Sequence, residues 1–481
     1  MSIAPRLPYP HNKPIMRISI TETGAIASPS AINTRAIQQA IDRCADAGGG
    51  VVYFPPGTFL TGTLWLKTNT TLYLEAGCTL LACPERDEYN AIDCFPEQDV
   101  VAHQAANGTH LLIAYRCDNV TLAGRGIIDG NPSAFFNQGV IARDPEREGS
   151  HDHYKLPDER PGQMLYFVGS THVRLENVSL ANACFWSVYL LDCDTVKISG
   201  LTIRSDRKIP NSDGLHFNCC RNLVVDNCNI DTADDCIVLR GHYKVLGSAN
   251  VPMENAVVSN CILRTRCCAL RLGVGDGTIR DCLFSNLVIR DTRTGISIWP
   301  AYSDRYPRGT DIDNVRFENI VMDVTTPVNL TLGVGAKAAV GNIVFKGLSC
   351  RATKSVYIVG EETVRVSDID FIDCVFRFFG HRLQSPFDAE SCALEHPWKE
   401  AVTNPPACGI FVRYADRVRF RNVRLDWTRA EGQRSESLCC IDCDDISFDN
   451  MDSVDFARMG IPSSFRLVRS SVSRPDRSPD P

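Results

Sequence analysis

No stretch of this chain approaches the ~18 to 20 consecutive apolar residues that a membrane-crossing helix needs, so no membrane-spanning helix is expected in it. An excess of positive charge is missing too. The 50 Lys and Arg are outnumbered by 57 Asp and Glu, for a formal net charge of −7. Neither nucleic acid nor an anionic membrane is therefore expected as a partner. The opening "MSIAPRLPYPHNKPIMRISITETG" has proline and polar residues where a secretory signal would place its apolar core, and a cytoplasmic location is the expectation. Zinc-finger spacing is absent, because "CRNLVVDNC" and "CCIDC" lack a second paired cluster. The "HDH" at 151–153 has no obvious third ligand and reads as a solvated loop. No metal and no cofactor are expected.

Cysteine, by contrast, is plentiful, at 22 in 481 residues. Secreted disulfide scaffolds are short, whereas this chain is long and 44% hydrophobic. Cys228, Cys261, Cys282, Cys350 and Cys374 occupy apolar positions of strand-like runs. They read as reduced thiols serving as small core residues.

A nine-residue phrase of apolar residues, with Asn or Gly near its centre, recurs along the chain. It begins as "HVRLENVSL" (172), "TVKISGLTI" (195), "NLVVDNCNI" (222), "NAVVSNCIL" (255) and "DCLFSNLVI" (281). It continues as "NVRFENIVM" (314), "NIVFKGLSC" (342), "DIDFIDCVF" (368), "RVRFRNVRL" (417) and "DISFDNMDS" (445). Most steps are about 23 to 33 residues, the range of solenoid coils. Inside each phrase the apolar residues alternate, break and restart, which describes two short half-buried strands joined by a bend. Leucine-rich repeats would show Leu-x-x-Leu-x-Leu, and propeller blades would need longer four-stranded repeats; neither pattern occurs. The expected fold is all-β, a single-stranded right-handed parallel β-helix.

Open sheet ends must be covered. "NTRAIQQAIDRCADAGGG" places Ile37, Ala40, Ile41 and Cys44 at helical spacing, starts near Asn33 or Thr34 and stops at glycines, so it predicts an N-terminal capping helix. The expected organisation is an N-terminal arm over 1–20, the β-helix over 21–465 and a loose polar tail over 466–481. The loop "GHRLQSPFDAESCALEHPWKEAVTNPPACG" interrupts the repeat before Arg417.

A third strand per coil lies between the phrases: "FWSVYL" (185–190), "DGLHF" (213–217), "DCIVLR" (235–240), "CALRL" (268–272) and "GISIW" (295–299). Aligned on apolar content, Gly214, Cys236, Ala269 and Ile296 form an inward column. Side chains alternate along a strand, so Asp213, Asp235, Cys268 and Gly295 form the outward one. Asp213 and Asp235 are then neighbours across one coil step, with Asp234 at the same corner. Like charges that close drive at least one pKa upward, and such splitting is how paired carboxylates divide acid and base roles. Capping and solvation explain a lone Asp-Asp pair better than they explain three carboxylates in register.

These residues resemble family 28 of the glycoside hydrolases, the polygalacturonases. "AIQQAIDRCADAGGGVVYFPPGTFLTGTLWLKTNTTLYLEAG", "GRGIIDG" and "LANACFWSVYLLDC" look like its early coils; "NSDG" and then "DD" before a Cys-Ile-x-x-basic strand look like its site. The resemblance implies hydrolysis of α-linked pectic sugars with inversion, with Asp234 as general acid and Asp213 and Asp235 activating water. Two departures stand out. The family's Gly-His-Gly reads "CCAL" here, with Cys268 replacing the histidine, and its Arg-x-Lys clamp on the sugar carboxylate reads Ser297 and Trp299.

Candidate substrate contacts follow from the same register. Two residues before the outward column it aligns Asn211, Ala233, Arg266 and Arg293, so Arg266 and Arg293 are candidates for a relocated anion clamp. Arg240 lies where the family often has Lys. Trp299 is a candidate stacking platform for a sugar ring. Strict alternation sends His216 and Arg271 inward, which suits structural roles and requires a bend or a buried polar network. The leading expectation is a hydrolase that trims acidic oligosaccharides from the chain end, with no expectation for oligomeric state. The alternatives are a uronate lyase or epimerase on the same fold, and a non-catalytic carbohydrate-binding β-helix.

Overall fold

The computed structural model describes residues 16–97, 106–142, 152–247, 251–302, 306–333, 335–380, 408–430, 436–453 and 465–473. The left-handed backbone region explains the recurring phrase. In all ten phrases the first and sixth residues have positive φ, from Asn222 (54°) and Asn227 (54°) to Asp445 (58°) and Asn450 (56°). Asn, Asp and Gly tolerate that region at least cost, so each phrase begins and bends where its polar or glycine residue stands. His172, Thr195 and Arg417 are exceptions that adopt φ of 52°, 57° and 54° without such a side chain.

Successive coils stack as parallel strands. Val188–Leu191 pairs with Leu215–Asn218, which pairs with Ile237–Gly241, then Cys268–Gly275, then the end of Thr278–Trp299. The architecture is a right-handed parallel β-helix. Apolar side chains of every coil fill one continuous core. Along it runs a stack of phenylalanines, Phe284, Phe317, Phe345, Phe371, Phe420, Phe448 and Phe465, with successive ring centroids 5.0, 5.2, 4.8, 5.4, 5.7 and 5.0 Å apart. That spacing is close to the ~4.8 Å between hydrogen-bonded strands, so identical side chains at equivalent positions stack from Phe284 to Phe448, and Phe465, from the strand that pairs with Leu438–Ile441, closes the end. The described cysteines carry free thiols, and all but the half-buried Cys94 and Cys267 are buried.

Helix Thr34–Asp46 buries Ile37, Ala40, Ile41 and Cys44 against the first coils. Asn33 precedes it but makes no cap to the helix; its amide instead bonds Ile26 and Ala31.

The boundaries differ from expectation at both ends. Met16–Ser19 pairs with Gly50–Tyr53, so the last part of the predicted arm is already sheet. Phe465–Val468 pairs with Leu438–Ile441, and Val472 bridges Ile446, so the start of the predicted tail belongs to the solenoid. Both segments satisfy an exposed ladder edge with their own backbone, which polar composition does not reveal. Residues 1–15, His151, the loop over 381–407 and the tail from 474 lie outside the described residues.

Candidate active site

The site grows from one local feature, a tight bend before each third strand. The inward column there is Gly214, Cys236, Ala269 and Gly295, in register through Leu215↔Ile237↔Leu270↔Ile296. These residues are small because space is short. A Cβ on Gly214 would stand 2.3 Å from the Cys236 carbonyl oxygen, and one on Gly295 would stand 2.5 Å from Met322 Sδ. Ile296 therefore does not belong in this column. Size, not apolarity, sets the register, and everything in that coil moves by one. Thr294, not Gly295, follows Cys268, and Arg293 aligns with Cys267 rather than with Arg266.

The bend also resets the alternation. Cys236 and the next residue, Ile237, both enter the core. The residues flanking this inward pair, Asp213 and His216 on one coil, therefore share the outer face. The same holds for Cys268 and Arg271 a coil later. The inward placement of His216 and Arg271 is thus corrected: both meet the aspartates. His216 Nε2 lies 2.9 Å from Asp213 Oδ2, and Arg271 Nε 2.6 Å from Asp235 Oδ2.

Carboxylate oxygens of Asp213, Asp234 and Asp235 lie within 4.8 Å of one another. Their surroundings differ. Asp213 is buried, and burial, followed by the charges of Asp234 and Asp235, pushes its pKa well up, against the pull of Arg271 and Arg240. Its partner His216 is held neutral by burial and by the same two arginines, so the contact between them is a hydrogen bond rather than an ion pair. Asp235 is also buried but well served: Oδ1 accepts from the Cys268 amide at 3.0 Å while Oδ2 faces Arg271. Asp234 is half-exposed. Its Oδ1 accepts from the Asp235 amide at 3.0 Å, and its carbonyl accepts from Thr232 Oγ1 at 2.6 Å and Thr265 Oγ1 at 2.5 Å. Two threonine hydroxyls from adjacent coils thus pin the backbone of the most accessible carboxylate. Asp213 is thus the carboxyl pushed toward its neutral form, and Asp234 is the most accessible of the three.

The remaining predicted contacts fall into place unevenly. Cys268 supports Asp235 through its backbone amide, while its thiol accepts from Arg271 Nη2 at 3.5 Å. Arg271 and His216 brace the aspartates where the resemblance led one to expect a single histidine. Asn211 stands at the same corner with its Oδ1 accepting from Arg160 at 2.7 Å. Arg266 donates to the Asp152 carbonyl at 3.2 Å, and Arg293 to the Cys267 thiol at 3.0 Å. Arg240 lies over the Trp186 ring at 5.1 Å. Trp299 is not a platform: only 2% of it is exposed, and Tyr302 packs edge-on against it at 5.2 Å. Its strand runs beneath the loop from Pro300, so an outward position is not an open one. Ser297, in register with Arg271, is fully buried.

Three contributors escaped sequence reasoning. Trp186 stacks on His216 at 3.7 Å and forms the wall between that imidazole and Arg240. The fully buried Arg160 ties the Pro210 carbonyl (2.6 Å), the Cys184 carbonyl (3.0 Å) and Asn211 together. Tyr302 lies 4.9 Å from the Arg271 guanidinium. The signal for Trp186 was its place at the start of a third strand; Arg160 reaches the site across fifty residues and had none.

Residues 97–261 match the family described as Glycosyl hydrolases family 28. The matched segment contains all three aspartates and Arg240, and ends before Cys268, Arg271, Ser297 and Trp299. A "Probable polygalacturonase" of Vitis vinifera is 25% identical over 288 residues, 58% of this chain and 56% of that protein. An "Exo-poly-alpha-D-galacturonosidase" of Dickeya chrysanthemi is 26% identical over 325 residues, 58% and 51%. The chain thus spans about half the length of these relatives. The crystal structure of a hyperthermoactive exopolygalacturonase from Thermotoga maritima aligns with a TM-score of 0.61 at 19% identity, covering 88% of this chain and 94% of that one. At that identity the likeness establishes the fold.

Proposed function

From its place as a divergent member of glycosyl hydrolase family 28, we propose that the chain hydrolyses α-glycosidic bonds of a pectin-derived or related acidic oligosaccharide from the chain end. The observation that supports this best is the convergence of three carboxylates, two buried and one half-exposed, on one outer patch from two adjacent coils. Glycoside hydrolysis needs a proton for the leaving oxygen and an activated water at the anomeric carbon. Asp234, half-exposed and pinned by Thr232 and Thr265, is assigned to protonate the glycosidic oxygen. Asp235, braced between the Cys268 amide and Arg271, is suited to orient water. Asp213 stands beside both, with its pKa raised by burial and by the charges of Asp234 and Asp235, and is assigned with Asp235 to activate the water. The end-trimming mode is supported by the relatives named as exo-enzymes.

Inversion is the outcome the family resemblance implies. The close approach of the carboxylates within 4.8 Å favours the opposite outcome, since pairs ~5 to 5.5 Å apart belong to retaining enzymes and ~6.5 to 9.5 Å pairs to inverting ones. We hold to inversion because two carboxylates flanking one water do not need the wide gap of a two-carboxylate site. Proton NMR of the first-formed sugar decides this: a β-anomer from an α-linked donor supports inversion, and an α-anomer assigns retention. Reducing-end release from α-1,4-linked galacturonate oligomers tests the activity itself, and a rapid viscosity drop on long polymer would contradict end trimming.

A further inference from the structure

The positive charge absent at Ser297 and Trp299 has a counterpart elsewhere on the same face. Arg240 is the penultimate residue of the strand Ile237–Gly241, and it points to the outer side because Ile237 and Leu239 point into the core. It is only 7% exposed. Among the described residues no carboxylate makes a direct ion pair with it, although Asp213 is near enough to feel its charge, and its Nε has no hydrogen-bond partner. A cation taken out of water without an anion is costly, so buried charges are normally paired. The other cation of the site, Arg271, is committed to Asp235 at 2.6 Å. Arg240 instead rests on the Trp186 ring, whose indole also stacks on His216, the partner of Asp213. A planar guanidinium steadied on an aromatic ring next to a reactive centre is suited to grip a carboxylate with a two-pronged hydrogen bond.

We propose that Arg240 binds the carboxylate of the sugar lodged beside Asp213, and that this contact gives the enzyme its preference for uronic acids. The proposal rests on the hydrolase reading for the location of the sugar and adds the residue that selects it. An acidic sugar beside three carboxylates would be repelled; Arg240 offsets that repulsion and at the same time acquires the anion its burial requires.

The test compares a galacturonate oligosaccharide with its methyl ester, which has nearly the same shape and no charge. Wild type, Arg240→Met and Arg240→Lys are assayed for kcat/KM on both, and the three are compared for binding in an Asp234→Asn background by calorimetry. Arg240→Met is expected to reduce the acid-to-ester ratio by roughly 10- to 100-fold, the scale of one charge-assisted hydrogen bond. Arg240→Lys is expected to recover part of the ratio, because it restores charge without the fork. Equal losses on acid and ester would overturn the proposal and make Arg240 a packing residue for Trp186. If Arg240→Met does not fold, the lysine variant alone decides: an unchanged ratio overturns the assignment. A wild type that cleaves nothing yet binds galacturonate in an Arg240-dependent way would sink the hydrolase reading and sustain this one.

Discussion

Two regions of the outer face use the same ladder geometry with opposite charge logic. In the C-terminal coils, neighbours one step apart carry opposite charges: Arg417 donates to Asp368 at 2.8 Å and Arg419 to Asp370 at 2.5 Å. On another face of the middle coils, Arg207 and Arg264 interleave with Asp231 and Asp291. At the site the step joins Asp213 to Asp235, like to like, with Asp234 beside them. Equal spacing therefore yields a weak stabilising pair in one place and electrostatic strain in the other. Surface pairs of the first kind contribute little each. Strain of the second kind persists only where the surrounding structure holds it, here through His216, Arg271, Thr232 and Thr265.

The contrast breaks most sharply at Asp234. Asp234→Asn is expected to lower kcat by roughly 10² to 10⁴, since an amide cannot protonate the leaving oxygen, with unchanged circular dichroism. Retention of near-wild-type turnover on an unactivated substrate would remove Asp234 from the acid role.

Arg271→Met comes next. It leaves Asp235 buried without its cation, which costs about 3 to 5 kcal/mol of stability in comparable cases, and denaturant midpoints should fall accordingly. An unchanged midpoint would show that the Cys268 amide alone suffices.

Asp213→Asn should act in the opposite sense on stability while abolishing turnover. The native pKa of Asp213 is raised, so the folded state binds a proton that the unfolded chain gives up near its ordinary value. Stability is therefore lost as pH rises from the unfolded pKa through the folded one. The neutral amide removes that loss and should stabilise the protein at pH 7 by about 1 kcal/mol, typical for relieving active-site strain, with little gain at pH 3. A gain independent of pH would refute the electrostatic cause.

The smallest effect is expected in the paired region. Arg419→Ala should cost less than about 1 kcal/mol and leave kcat untouched. A larger loss would make that ladder more than a solvated surface.

Much of this was legible in the linear chain. The ten phrases predict the coil because each begins and bends at a residue with positive φ, usually Asn, Asp or Gly, and local backbone preference leaves its mark on composition. The alignment of Asp213 with Asp235 was equally readable, since both coils repeat the same Asp-small-apolar order. The next coil was misread by one residue because Ile296 looked like the match to Ala269, whereas the bend admits only small side chains and takes Gly295. His216 and Arg271 were placed inside for a related reason: alternation holds within a strand but not across the bend before it.

By itself the sequence determined the repeat, the capping helix and the meeting of three aspartates, all of which follow from short-range patterns copied coil after coil. Only the tertiary structure decided that Asp213 and Asp235 are buried while Asp234 is half-exposed, that Arg271 is bound to Asp235 while Arg240 is not, and that Trp299 is covered. Those are matters of burial and of partners contributed by other coils, and Coulomb and desolvation energies depend on distances in space that no spacing along the chain encodes.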